Sequence, residues 1–158
     1  MMPPFVVITG AQNSGKTKLV ARLVRHFVKQ GLRVGTIKHA GHGFDVPKKD
    51  SHAHFHAGAT VTVLASADQT AVFRRQRLPS LGQLVAQHCV DVDLVLVEGF
   101  RRERAPRIEV YRRAATRVPL PGRLTALVTD DPIHFDGPRF RTRELTRLGR
   151  FIRELCGV

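Results

Sequence analysis

Residues 10 to 17 read Gly-Ala-Gln-Asn-Ser-Gly-Lys-Thr and satisfy the spacing G-x-x-x-x-G-K-[ST] in full. No other run in the chain restricts the fold so tightly. The two glycines let the backbone wrap closely around a small ligand. Consecutive amides and the N-terminus of a following helix make that concavity electropositive, which suits phosphate oxygens. The motif functions only between a buried strand and a helix, and both are written here. Phe5-Val6-Val7-Ile8-Thr9 is a short apolar run of the buried-strand kind. From Lys16 to Gln30, Leu19, Val20, Leu23, Val24, Phe27 and Val28 recur along one helical face, and Gly31 is placed to end the helix. Gly10, Asn13, Ser14 and Gly15 are therefore expected to cradle phosphate. Lys16 is expected to reach the β- and γ-phosphates of a purine triphosphate, and the Thr17 hydroxyl to ligate Mg²⁺.

Strands and helices continue to alternate beyond this point. Arg33 to Lys38 reads as a strand, and Asp50 and Ser51 can cap a short helix that Gly58 ends. Thr60 to Ser66 is a strand with Thr70 to Arg74 beside it. Ser80 to Gln83 is a capping box opening a helix with Leu81, Leu84 and Val85 inward. Asp93 to Glu98, Ile108 to Tyr111 and Leu124 to Thr129 are further strands. A last helix runs from about Arg143 to Leu155, with Leu145, Leu148, Ile152 and Leu155 on its inner face. No linker or repeat divides the 158 residues, so the expectation is one P-loop nucleotide-binding domain over 1–158. Its class is three-layer α/β, a mostly parallel sheet with helices on both faces.

Ligands of such sheets lie at the carboxyl ends of the strands, and the chemically capable residues gather there. Asp93-Leu94-Val95-Leu96-Val97-Glu98-Gly99 ends a buried strand in an acid. Glu98 is the expected holder of Mg²⁺ or its water, with the Gly99 amide near the γ-phosphate. Asp93, at the start of the strand, belongs at the far end of the sheet. The polar loop Lys38 to Ser51 holds Asp45, a candidate for the metal shell, and long loops in compact domains are often functional. His39, His42, His52, His54 and His56 place five of the eight histidines in one stretch. A transition-metal site competes there with a mixture of loop, capping and surface histidines. Arg101, Arg102, Arg104 and Arg107 form a basic run open to four readings: a lid or arginine finger, a docking surface, a second phosphorylated ligand, or a solvated face. Asp130, in Thr129-Asp130-Asp131-Pro132, can pair with the N1 and N2 donors of guanine, although Asp-Asp-Pro also forms turns and no Asn-Lys-x-Asp motif is present. No residue is identified as a catalytic base.

Composition narrows the partners. The formal net charge is +13, from 26 Lys and Arg against 13 Asp and Glu. Nucleic-acid binding is one reading of that excess, an acidic protein partner or a multiply phosphorylated ligand a second, and a solvated basic face a third. The chain has no Trp and one Tyr, so platforms for stacking bases are scarce and nucleic acid is an unlikely ligand. Cys89 and Cys156 have no Cys-x-x-Cys spacing and read as reduced, mostly buried thiols. No apolar run is long enough to span a bilayer, and the N-terminus has no basic leader, which places the expected location in the cytoplasm.

Several segments in combination resemble the molybdopterin-guanine dinucleotide biosynthesis protein B family. They are Val7 to Leu19, Thr36-Ile37-Lys38-His39 with His42 and Asp45, Lys49-Asp50-Ser51 with Ala57-Gly58-Ala59, and Asp93 to Phe100 with Arg107-Ile108-Glu109-Val110. The resemblance implies a small GTP-binding protein with weak GTPase activity, likewise dimeric. It implies GTP and Mg²⁺ at Gly10 to Thr17 and a second nucleotide motif at Glu98 and Gly99. The implied partner is the nucleotidyltransferase that joins a guanine nucleotide to molybdopterin, with molybdopterin itself a candidate ligand. Two departures are visible. Asp45 to Lys49 is shorter than the family's Asp-x-Asp-x-Pro-Gly-Lys, lacking its second acid and its glycine, and Lys18 replaces a common second Thr. The alternative reading is a small-molecule kinase, with Arg101 to Arg107 as its lid. A nucleic-acid-stimulated ATPase, suggested by the net charge alone, is the third.

Overall fold

A computed structural model describes residues 2–41 and 50–158, without the side chains of residues 50–52. In chain order its elements are β1 (Phe5–Thr9), α1 (Lys16–Val28), β2 (Val34–Lys38), α2 (Asp50–His56), β3 (Val61–Ala65), β4 (Thr70–Arg74), α3 (Leu81–His88), β5 (Leu94–Glu98), β6 (Arg107–Val110), β7 (Ala126–Val128), β8 (Arg139–Phe140) and α4 (Leu145–Cys156). The chain falls into two compact units. One comprises Met1–His39 with Leu81–Val158, the other Ala40–Ser80.

The larger unit is a six-stranded sheet in the order β2-β5-β1-β6-β7-β8, parallel throughout. Strands buried on both faces need a continuous apolar run, and β5 has one: Leu94 to Val97 is apolar and buried, and the strand ends in the buried acid Glu98. Side-chain alternation then sorts the core into two layers. Val6, Ile8, Leu94, Leu96, Ile108 and Val110 face α1 and α4, while Val7, Val95 and Val97 face α3. Helices therefore cover both faces, as expected.

Helix α1 shows how sequence becomes packing. Leu19, Val20, Leu23 and Phe27 are its buried stripe, spaced three and four apart as one helical face requires. Leu23 and Phe27 are fully buried, each worth about 1.5–3 kcal/mol of transfer free energy. The helix stops where Gly31 adopts φ +83°. Gly31 N–H then donates to Val28 O at 3.0 Å and Leu32 N–H to Phe27 O at 3.1 Å, a Schellman closure that returns Leu32 to the core. Val28, expected on the inner face, is 55% exposed because it lies past the edge of that stripe.

Two connections depart from the helix-covered plan. β5 passes to β6 through residues 99–106 without a helix, and β6 passes to β7 through the irregular segment 111–125. β8 was not expected, because a two-residue strand after Pro138 carries no readable period.

The smaller unit pairs β3 with β4 in an antiparallel hairpin, from Val61↔Arg74 to Ala65↔Thr70. Ser66 closes its turn, its N–H donating to Gln69 O at 2.8 Å and its Oγ accepting from Gln69 N–H at 3.1 Å. Arg75 lies over the Phe55 ring at 4.2 Å and donates to Phe55 O at 2.6 Å, tying α2 to the hairpin.

Candidate functional site

Sheet register brings the predicted residues together. Ile8 of β1 and Lys38 of β2 both lie level with Glu98 of β5, so three strands end side by side where the phosphate loop begins. The loop leaves β1 with Gly10 at φ +147°, Asn13 at +62° and Gly15 at +101°. The first glycine is required by space. A Cβ on Gly10 would lie 2.4 Å from the Val110 carbonyl oxygen and 2.6 Å from Ser14 Oγ. At Gly15 nothing lies within 4 Å, so that glycine is required by its left-handed backbone alone.

Helix α1 begins without any side-chain cap and without an acid in its first turn. Its N-terminal amides and positive dipole end are thus left for an anion. Ser14 is 6% exposed, and its buried Oγ has no hydrogen-bond partner. An orphaned buried hydroxyl is costly, and here it sits inside a loop whose spacing is that of a phosphate cradle. Lys16 Nζ turns back to donate to Gly10 O at 3.0 Å and Ala11 O at 2.6 Å. Burial is the largest influence on the Lys16 ammonium and lowers its pKa; Glu98 acts in the opposite sense and Lys38 adds to the lowering. A nearby phosphate would offset that burial cost.

Thr17 Oγ1 donates to Glu98 Oε1 at 2.8 Å. Lys38 Nζ stands 3.3 Å from the same carboxylate oxygen and 3.4 Å from Thr17 Oγ1. A hydroxyl and a nearly buried carboxylate therefore converge beside the loop, with a cation already against them. Oxygen donors of this kind suit Mg²⁺, which takes one or two protein ligands and completes its shell with water and phosphate. The residues fit the group.

A recess of about 470 Å³ opens beside the loop, lined by Ser14, Gly15, Tyr111, Arg112, Asp130 and Thr142 among others. Its size is within the range of small-molecule sites.

Two expected roles change in this setting. The Gly99 amide donates to Ile8 O at 3.0 Å, so it is engaged within the sheet. What Gly99 contributes is clearance, because a Cβ there would meet His39 Cβ at 2.9 Å. Asp130 does line the recess, but its carboxylate accepts from Thr142 N–H at 3.1 Å and from the Thr142 hydroxyl. The Thr142 hydroxyl is the main influence holding its carboxyl below the usual range. Asp130 thus shapes the recess wall as the structure stands. Asp93 sits at the opposite end of β5, where Arg33 donates to both carboxylate oxygens and lowers its pKa to about 2. Asp45 and His42 lie outside the described residues, as does the His52 side chain. Among the described residues no three His, Cys, Asp or Glu gather as a metal-binding group. No helix among them is long and apolar enough to cross a membrane.

Sequence reasoning took Arg107 as part of a basic loop and gave Glu109 no role of its own, and so missed that both are buried. They alternate on one face of β6, buried at 9% and 0% exposure. Glu109 accepts the Leu120 N–H with both carboxylate oxygens at 3.0 Å. Arg107 donates to Arg123 O at 2.9 Å and to Arg101 O. Tyr111 continues the row, its hydroxyl donating to Arg117 O at 3.1 Å. Charged residues at alternate positions of an otherwise apolar strand were the available signal.

The family model described as molybdopterin guanine dinucleotide synthesis protein B matches residues 5–130. The molybdopterin-guanine dinucleotide biosynthesis adapter protein of Haemophilus influenzae is 34% identical over 156 residues, covering 94% of this chain and 87% of its own. The Escherichia coli adapter protein is 30% identical over 165 residues, covering 97% and 93%. The crystal structure of Bacillus subtilis MobB is similar with a TM-score of 0.79 at 27% identity, covering 98% of this chain and 99% of that one.

Proposed function

The chain belongs to the molybdopterin guanine dinucleotide synthesis protein B family, and from that premise we propose that it binds GTP with Mg²⁺ and acts as an adapter for the nucleotidyltransferase that makes the dinucleotide. The adapter role follows the names of its relatives. The nucleotide reading rests on one observation above the others: Lys16, Thr17 and Glu98 converge at a loop containing an orphaned, buried Ser14 hydroxyl.

In this reading the loop amides and the α1 N-terminus bind the phosphates, and Lys16 exchanges the Gly10 and Ala11 carbonyls for phosphate oxygens. Thr17 and Glu98 hold Mg²⁺, which supplies charge neutralisation of the phosphates when bound. The recess beside the loop takes the nucleoside, with Asp130 and Thr142 in its wall. Turnover without the partner is slow. The protein works as a homodimer, as the resemblance implies, and in the cytoplasm, as the sequence leads one to expect, and molybdopterin is a further candidate ligand.

Calorimetry with GTP, GDP and ATP, with and without Mg²⁺, tests the proposal on the wild type and on Lys16→Ala. The expected result is a GTP preference and a loss of at least about tenfold in affinity in the variant, since a charged hydrogen-bonding partner is worth about 1.5–3 kcal/mol. Preference for ATP, with phosphorylation of an added acceptor, would move the site to the small-molecule kinases. Equal binding by both proteins would remove the phosphate loop from the argument.

A further inference from the structure

The residues 101–107 connection and the residues 122–125 stretch enclose a second recess, of about 750 Å³. It shares no lining residue with the recess beside the phosphate loop. Arg101, Arg102, Arg104, Arg107 and Arg123 line it, against one acid, Glu103. We propose that this recess is a second anion site, which takes a phosphate monoester carried on a small organic body. The proposal does not depend on the identity of the nucleotide at the phosphate loop.

Four observations carry it. First, the side chains of Arg101, Arg102, Arg104 and Arg123 are exposed and have neither a hydrogen bond nor an ion pair among the described residues, in contrast to Arg33 and Arg147, which are paired with acids. Guanidinium forks match phosphate oxygens bidentately, so these groups are available for that use.

Second, the floor is built. Arg107 is 9% exposed and its two terminal nitrogens are fixed by the carbonyls of Arg101, Pro121 and Arg123. Its Nε is buried with no partner. Buried Glu109, two positions along the same strand face, offsets part of its charge, but a buried guanidinium bonded to carbonyls with a donor left over remains a costly arrangement that a further anion would ease. Gly122 makes the arrangement fit, because a Cβ there would meet Arg107 Nη2 at 2.6 Å.

Third, the guanidiniums come from two chain segments that Arg107 ties together, since it bonds to backbone on both. A solvated charge run needs no such tie. Fourth, the site is concave, with Ala105, Pro106 and Thr125 between the arginines. A small phosphorylated molecule fills such a hollow. An acidic protein face would meet the rim and leave the hollow unfilled.

The test uses phenyl phosphate as probe, titrated by calorimetry into the full chain carrying Lys16→Ala. The comparison is the same chain with Arg101→Ala, Arg104→Ala and Arg123→Ala added. These side chains are exposed, and the carbonyls that hold Arg107 remain. Any residual phosphate-loop signal is common to both proteins and cancels. The expected result is saturable one-to-one binding, weakened at least about tenfold in the second protein, with no binding of phenol. The same three substitutions in the wild-type background should leave GTP affinity unchanged and the melting temperature no lower, since they remove unpaired like charges, which separates failure here from failure of the nucleotide reading. Should the triple variant lose its melting transition, Arg104→Glu alone takes its place. Equal affinity in the two proteins would overturn the proposal. So would tighter binding of a glutamate-rich peptide than of phenyl phosphate, which would make the recess a protein-docking surface.

Discussion

Ser14 concentrates the cost of building a phosphate cradle into one atom. Its hydroxyl is buried without a partner, and an unmet buried polar group costs about 1–3 kcal/mol. Gly10 cannot relieve it by growing a side chain, because a Cβ would strike both Ser14 Oγ and the Val110 carbonyl. The loop is thus paid for by folding and repaid by ligand. Ser14→Ala should therefore act with opposite signs in two assays. The ligand-free protein should melt a few degrees higher, at about 2–4 °C per kcal/mol for a chain of this size, while nucleotide affinity falls. A lower melting temperature together with unchanged affinity would mean that the hydroxyl serves the fold and not the ligand.

At the scale of elements, β6 holds the least expected device. The buried row of Arg107 and Glu109, continued by Tyr111 just past the strand, anchors residues 112–125 by their backbone, in place of a covering helix. Glu109 is fully buried, and burial is what chiefly raises its carboxyl above the ordinary 4.5, against the lowering pull of the Leu120 N–H and Arg107. A folded value above the unfolded one gives stability that is complete below about 4.5 and lost as pH rises through the folded value. Glu109→Gln keeps an acceptor for Leu120 N–H and removes the titration. Denaturant unfolding at about pH 4 and about pH 8 should show the variant gaining on the wild type as pH rises. The opposite trend would mean that Arg107 outweighs burial. Glu109 was illegible in the sequence for a physical reason. Arg107 and Glu109 look like surface residues until one knows that β6 is an interior strand covered by a long irregular connection. The phosphate loop was legible because its geometry is local: glycines at fixed spacing between a strand and a helix. Convergence of Thr17 and Glu98 was legible in outline from strand ends. The actual use of the Gly99 amide and the Asp130 carboxylate was not, because Ile8 and Thr142 take them through tertiary contacts. β8, two residues long, offered no pattern to read.

For the molecule as a whole, the net charge of +13 sets a problem that its ion pairs do not solve. Two of the described pairs, Arg33–Asp93 and Arg147–Glu144, lie at the surface, and Lys38–Glu98 is half in solvent. Exposed pairs contribute about 0–1 kcal/mol each and are screened by salt. Self-repulsion among the excess guanidiniums acts over the whole surface and opposes the compact state. Salt weakens both, so the sign of the net effect identifies the larger. Repulsion among this many unpaired cations should win. Raising sodium chloride from about 20 mM to about 200 mM shortens the Debye length from about 20 Å to about 7 Å, and the melting temperature should rise. Phosphate at matched ionic strength should raise it further, because anion sites bind the folded state and stabilise it by mass action. If sodium chloride lowers the melting temperature, the surface pairs outweigh the repulsion. If phosphate adds nothing beyond its ionic strength, then neither the phosphate loop nor the arginine recess captures a free anion, and ligand recognition at both must draw on the rest of the molecule that carries the phosphate.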